Sequence, residues 1–416
     1  MRLASRIFVA LLLVAILLAL LIFSPRPPYG EGPRVSSGSA LGSLREVALV
    51  SNSVEGSVSV IDLAEERVLH TLNIAPDGLR VGFWRDPLQW AGQSILERRA
   101  GRNYAQDTDL SRDGSVLFVS RGYLGDVIAM DIASGKILWR RAVAGLRADH
   151  MALSHDGERL YVSTLIGSGD RVQVLSSASG EVLGEFRAGR WPHDVWVSPD
   201  DERVYVASLG DMLANLDERG AQENAYTITV AETGSLSVVE RYGFGAGVRP
   251  FEPLHNERSL FAQLSNSHDV IRFDTESGNV AQALALPVDD GVTQADWDFE
   301  APHHGLAMTP DETMLCIAGR ASDYAAIVSS GVQPDGTSSE PMSLLAVVET
   351  GDAPSWSAVS ADGENCVLPN TRSDDVSLVN LETRTESARI PVGRGPKHVT
   401  IGFIDGTLFR RAKGDE

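Results

Sequence analysis

Residues 156–164 read Asp156-Gly157-Glu158-Arg159-Leu160-Tyr161-Val162-Ser163-Thr164. Asp-Gly opens a tight turn because glycine takes the left-handed backbone conformation without a steric clash. The Tyr-Val-Ser-Thr that follows is aromatic, β-branched and alternating, which is the pattern of a strand. The same turn-then-strand unit recurs along the chain. Turns fall at Asp113-Gly114, Asp156-Gly157, Asp200-Asp201, Asn256-Glu257, Asp311-Glu312 and Asp362-Gly363. Strand cores follow at Phe118–Arg121, Tyr161–Thr164, Tyr205–Ser208, Phe261–Leu264, Cys316–Gly319 and Val367–Asn370. A seventh core, Leu49-Val50-Ser51-Asn52, has no turn before it, and Gly395–Ile401 offers the missing inner strand from the far end of the chain.

Successive cores begin 69, 43, 44, 56, 55 and 51 residues apart. A period near 43 with insertions is the size of a four-stranded propeller blade. One blade cannot bury both of its apolar faces, so neighbours must stack around an axis. Sharing one blade between the two termini closes the ring and removes its edges. The expectation is an all-β fold: a seven-bladed β-propeller over residues 45–405, closed by pairing of N- and C-terminal strands. The repeat overrides the two or three domains that 416 residues would otherwise suggest.

Lys plus Arg number 36 against 56 Asp plus Glu, a formal charge of −20. That balance argues against nucleic-acid binding, which needs a basic face. Two cysteines exclude a disulfide-built scaffold and any Cys₄ metal or iron–sulfur site. Ile7–Phe23 is an unbroken apolar run behind Arg2 and Arg6, ended by Ser24-Pro25-Arg26-Pro27-Pro28. With no small-residue cleavage site and no lipoprotein cysteine, residues 1–24 read as an uncleaved transmembrane helix or signal anchor. Residues 25–44 then form a Pro/Gly/Ser-rich linker and 406–416 a polar tail. The arginines set the orientation, leaving the propeller in the periplasm or at the cell surface. Cleavage of the segment would make it secreted.

The segment Leu49–Asp62, LVSNSVEGSVSVID, resembles the YVTN repeat of bacterial surface and periplasmic β-propellers. Tyr161–Thr164 and the Pro192-His193…Ser198-Pro199-Asp200 run are similar to further copies. The resemblance spans roughly residues 45–405 and implies the seven-bladed propeller. It leaves activity open, because the wider group includes quinoprotein amine dehydrogenase heavy subunits, the haem-binding propeller of nitrite reductase, lactonases and binding proteins.

Three large insertions, 78–103, 210–224 and 287–303, fall on the face where inner strands begin; 331–341 falls on the other. Loops on a rigid scaffold carry function, so the first face is the candidate. Aligning the blades on their turns places Gln106, Asp149, His193, Arg249, His304, Ser355 and Lys397 around the channel mouth. The neighbouring column holds Asp107, His150, Asp194, Pro250, Gly305, Trp356 and His398. Such polar groups point to a hydrated channel, a small-molecule site or a docking surface, and Arg249 with Lys397 suits an anionic group. Candidate ligand-binding residues are Gln106, Asp149, His150, His193, Arg249, His304, Trp356 and Lys397. Trp84, Trp90, Trp191 and Trp297 map to the same face as Trp356, as a ligand wall or as packing for long loops. The acidic run Asp289–Glu300 with His303 and His304, reached by His193, offers a divalent metal site, although no HExxH spacing is present. His193 and His304 could also act as a general acid–base pair. No GxGxxG, Walker, GxSxG or CxxCH motif occurs in a suitable context. Cys316 and Cys366 lie on adjacent blades, either paired or as two buried thiols. The functional expectation is a binding propeller for a small polar ligand or a protein partner. The alternative is an enzyme with a channel-mouth site, either a metal- or cofactor-dependent oxidoreductase or a lactonase-like hydrolase.

Overall fold

A computed structural model describes residues 44–409, apart from residues 215 and 334–339. Seven antiparallel sheets of four strands surround a central channel. Strands β1 (Leu44–Asn52), β2 (Ser57–Asp62) and β3 (Arg67–Asn73) are joined by β28 (Pro396–Asp405) in the order β28-β1-β2-β3. The last strand is thus the inner strand of the first blade, in register from Leu44 against Asp405 to Asn52 against Pro396. The other blades run inner to outer in chain order: β4–β7 within 107–142, β8–β11 within 147–187, β12–β15 within 192–243, β16–β19 within 248–285, β20–β23 within 306–349 and β24–β27 within 358–391. All seven cores recognised in the sequence lie in the second strands of their blades, save that Arg121 falls just past the end of its strand.

Burial follows position in the blade. The second and third strands are sealed by blades on both sides, as in β2 and β5 (Val116–Ser120), where every residue is buried. Outer strands such as β15 (Val238–Gly243) face solvent along much of their length. The core therefore lies between blades. Ala48, Val50 and Ile61 of the first blade pack on Val367, Val376 and Leu378 of the seventh, sealing the ring. Each such Val, Ile or Leu side chain contributes about 1.5–3 kcal/mol relative to exposure.

The turns explain the repeat. Ser154 Oγ donates to Asp156 Oδ1, while Arg159 N donates to Ser154 Oγ and Glu158 N to Asp156 Oδ1. Ser198/Asp200, Thr309/Asp311 and Ser360/Asp362 repeat this device. Where glycine is absent at the left-handed position, a polar residue occupies it and reaches back to the preceding blade. Asp201 (φ 58°) accepts from His155 N and Asp156 N, and Glu312 (φ 62°) accepts from His255 N. These bonds offset the backbone strain. The Asn of the repeat is structural too: Asn52 Nδ2 donates to Ser57 and Ser59, and Asn370 Nδ2 to Asp375 and Ser377.

Cys316 and Cys366, both fully buried, form a disulfide between the second strands of blades six and seven. That settles the alternative left open by the sequence. Among the described residues no helix is long and apolar enough to cross a membrane, and the anchor expected over Ile7–Phe23 lies outside them.

Candidate functional site

Simple strand alternation would send one of two adjacent residues into the channel and its neighbour away from it. The inner strands break that rule at the mouth. In β8 (Arg147–Leu153) the register against the second strand jumps between Ala148 and Met151, leaving Asp149 and His150 opposite one residue. The same bulge occurs at His193–Asp194 in β12 (Pro192–Val197) and at Arg249–Pro250 in β16 (Val248–Pro253). Lys397 is the extra residue of β28. A bulge re-aims side chains, so adjacent residues of these four inner strands can both reach one end of the channel.

Two layers result. In the deeper one Asp107, at the start of β4 (Asp107–Leu110), accepts from its neighbour Thr108 N (2.6 Å) and from Met151 N of the next blade (2.8 Å). Its carboxylate also meets His150 Nδ1 (3.3 Å) and His398 Nδ1 (2.8 Å). Asp109 and Asp194 reach the following inner strand in the same way, through Leu153 N and Phe251 N. These acids are staples between blades, and each satisfies an amide on the open edge of an inner strand. The His150 ring stacks on Trp356 from across the channel at 4.6 Å, and Trp356 lies 4.5 Å from His398. Together they plug the bore. Below the plug a cavity of about 240 Å³ is lined by Asp107, Asp109, Met151, Val195, Val197 and Thr400, among others.

The upper layer is the mouth itself. Gln106 Oε1 accepts from Asn103 Nδ2 (2.6 Å), Lys397 Nζ (2.9 Å) and Arg147 (3.1 Å). That fixes the amide so that its Nε2 donates to His150 Nε2 (3.1 Å). Asp149, fully buried, accepts from Arg147 (2.7 Å) and from His193 Nδ1 (2.8 Å). His304 Nδ1 donates to Ser355 O (2.9 Å), and Arg249 Nε donates to Ser265 Oγ (2.9 Å).

The electrostatics of this layer are unusual for so acidic a chain. Burial lowers the Lys397 ammonium to about 7; the positive charges of Arg147, Arg320 and Arg249 add to this, against the carboxylate of Asp149. Burial likewise brings Arg249 to about 10. Burial holds His193 at about 3 and His304 well below its usual value, so both imidazoles are neutral. Asp149 stays ionised, because Arg147 and His193 outweigh its burial. The mouth is a desolvated, positively biased well.

The metal candidates divide. Ligand atoms of Asp107, His150 and His398, and those of Asp149, His150 and His193, come within 4.8 Å of one another. Either set could hold a divalent ion, and His193 Nε2 is buried without a hydrogen-bond partner among the described residues. His304 lies beside His193 (ring centroids 5.6 Å apart), but it belongs to neither set. His303 lies elsewhere, bonded to Tyr324 Oη (2.8 Å) and packed edge-on against His268. Among the described residues, the acidic run Asp289–Glu300 contributes no ligand atom to either set. Asp298 pairs with Arg320 and Arg372, Glu300 with Arg219, and Asp296 caps a short 3-10 turn.

Of the five tryptophans assigned to this face, Trp356 alone stacks on the channel histidines. Trp297 packs on His268, Trp191 is half-buried on the loop before β12, and Trp84 and Trp90 are exposed on the first insertion. Sequence reasoning missed Arg147 and Arg320. Arg320 directly follows the second strand of blade six (β21, Met314–Gly319), as Arg121 follows that of blade two (β5), so inspecting the residue after each second strand would have found it.

Residues 55–183 match the family model of the outer membrane protein assembly factor BamB. The 6-phosphogluconolactonase of Photorhabdus laumondii is 21% identical over 347 residues, covering 81% of this chain and 99% of that protein. The seven-bladed beta-propeller protein Rv1057 of Mycobacterium tuberculosis is 23% identical, covering 73% of this chain and 80% of its own length. Among solved structures, the periplasmic gluconolactonase PpgL of Pseudomonas aeruginosa superposes with a TM-score of 0.59 at 17% identity, covering 86% of this chain and 99% of that one. Likeness at these identities shows the fold.

Proposed function

Taking as premise that the chain is a seven-bladed β-propeller, we propose that it binds a small anionic ligand of the sugar-acid or lactone class at its channel mouth. One observation carries this reading: Arg147, Arg320 and Arg249 all bear on the Lys397 ammonium at one end of the channel, in a chain of charge −20, with Asp149 paired to Arg147 and Asp298 to Arg320. Gathering like charges while removing water from them is unfavourable; Asp149 and Asp298 offset part of that cost, and a bound anion would offset more. A carboxylate or phosphate would find charge-assisted donors there. The relatives named for lactones of sugar acids point to the same ligand class.

The propeller works outside the cytoplasm in this reading, with Ile7–Phe23 as its membrane anchor. The apolar run behind two arginines and the buried Cys316–Cys366 disulfide support that placement.

A second reading, lactone hydrolysis, is favoured by the Asp149–His193 pair. Water would attack the lactone carbonyl as His193 Nε2 takes its proton, the acyl C–O bond of the ring would break with that proton passed to the leaving ring oxygen, and the new carboxylic acid would ionise to a carboxylate that the cations hold. An imidazole held at about 3 is a poor base at neutral pH, so binding leads.

The test is thermal unfolding of the full chain with gluconate, 6-phosphogluconate and δ-gluconolactone, alongside proton release from the lactone. A ligand at a hundred times its Kd adds about 2.7 kcal/mol and raises Tm measurably. No shift with any of the three would overturn the binding reading. Proton release that is lost in His193→Ala, with gluconate binding retained, would promote hydrolysis.

A further inference from the structure

The first insertion carries a helix, α1 (Pro87–Ala100), whose faces are inverted relative to an ordinary surface helix. Its inward side is polar. Asp86 caps it by accepting from Gln89 N (2.9 Å), and Gln89 Nε2 donates to Tyr123 O and Leu146 O (both 2.8 Å). Gln93 Nε2 donates to Leu79 O (2.6 Å) and its Oε1 accepts from Val81 N (3.1 Å). Gly92 lies so close to Leu146 that an added Cβ would come within 2.9 Å of it. The outward side holds the apolar groups. Trp90 and Ile95 are exposed, and the preceding loop adds Phe83 and Trp84, the latter 94% exposed. The Phe83 ring meets those of Trp84 and Trp90 edge-on at 5.0 and 5.3 Å, forming one aromatic cluster.

The charge around the cluster is reversed as well. Residues 79–103 contain five arginines, all exposed (Arg80, Arg85, Arg98, Arg99 and Arg102), against Asp86 and Glu97, and Asp77 just before them lies 3.4 Å from Arg85. Both acids are withdrawn: Asp86 is buried as the cap, and Glu97 is held by Tyr104 Oη (2.8 Å) and Arg80 (3.2 Å). The segment is cationic in a chain of charge −20. Indole and phenyl rings ringed by guanidinium groups match the headgroup–acyl boundary of an anionic bilayer, where each ring buries its body and each arginine finds phosphate. A surface with no partner rarely keeps adjacent aromatic rings in water.

We propose that the Phe83/Trp84/Trp90 patch with its arginines docks the propeller on an anionic lipid surface. The inference goes beyond the ligand reading and stands without it.

The experiment is tryptophan quenching of the full chain reconstituted in phosphatidylcholine vesicles containing brominated lipid, with and without one-third phosphatidylglycerol. The expected result is strong quenching with phosphatidylglycerol, reduced more than twofold by pure phosphatidylcholine or by high salt. It should fall to near zero in Trp84→Phe/Trp90→Phe, which removes the reporters and keeps the apolar surface. Unquenched wild-type chain would overturn the proposal, as would quenching that survives in the double variant. A Trp84-dependent dimer whose tryptophans ignore the lipid would overturn it too, assigning the patch to a second copy of the chain.

Discussion

Lys397 gives the sharpest prediction, because stability and binding should move in opposite directions when it is replaced. A lysine ordinarily titrates near 10.5, and burial at the mouth brings Lys397 to about 7. Below pH 7 the ammonium is charged in both the folded and the unfolded chain, and the folded chain bears the full desolvation cost. Above pH 10.5 it is neutral in both and the cost is gone. Between these limits the unfolded chain binds more protons, so stability rises with pH. At about 1.4 kcal/mol per pH unit the ceiling is roughly 5 kcal/mol. Lys397 is only partly buried and its bond to Gln106 Oε1 is lost on substitution, so Lys397→Met should gain about 1–3 kcal/mol at pH 6 and nothing above pH 10.5. Urea unfolding of both proteins at pH 6, 8 and 10 reads this directly. A variant less stable than wild type at pH 6, or a gain that does not change with pH, would refute the electrostatic reasoning. The same substitution should weaken the binding of a carboxylate ligand about tenfold or more, as expected of a residue kept for its site.

Three further outcomes follow from the interior. Glu252, on β16, is raised to about 8 by burial and by Asp194; between pH 4.5 and 8 its proton is released on unfolding, so stability falls as pH rises, and Glu252→Gln should flatten that slope in calorimetry. Asp107→Asn sets an amide against the donors of Thr108 and Met151, and should cost about 3–5 kcal/mol in denaturant titration; a neutral result would show that Asp107 is no staple. Opening the Cys316–Cys366 bond, which spans 50 residues, with the Cys316→Ala/Cys366→Ala variant should cost about 4 kcal/mol, and an unchanged urea midpoint would contradict the bond's role in joining blades six and seven.

The ring was legible because its signals are local and repeated. Each Ser-x-Asp turn and each β-branched second strand can be read within a dozen residues, and the unmatched Leu49–Asn52 strand required a partner from the other terminus. The columns at the mouth were legible by position, since His193 and Arg249 sit at one offset from their turns. Their convergence was not. It depends on bulges at Asp149–His150, His193–Asp194 and Arg249–Pro250, and strand alternation gives no notice of these. Loop side chains were harder still. Trp84 and Trp356 map to one face, yet one points to solvent and the other plugs the channel, because the sequence locates a loop without orienting it. Asp298 reads as a metal ligand until Arg320 and Arg372, remote in sequence, come to lie against it.

The most direct test of the central claim is calorimetric titration of gluconate and 6-phosphogluconate into the wild-type chain and into Arg249→Gln/Lys397→Met. The account predicts saturable binding to the wild type that weakens with salt and disappears in the variant while its unfolding stays cooperative. Binding of equal strength in both proteins, or in neither, would contradict a cationic channel mouth built to hold an anion.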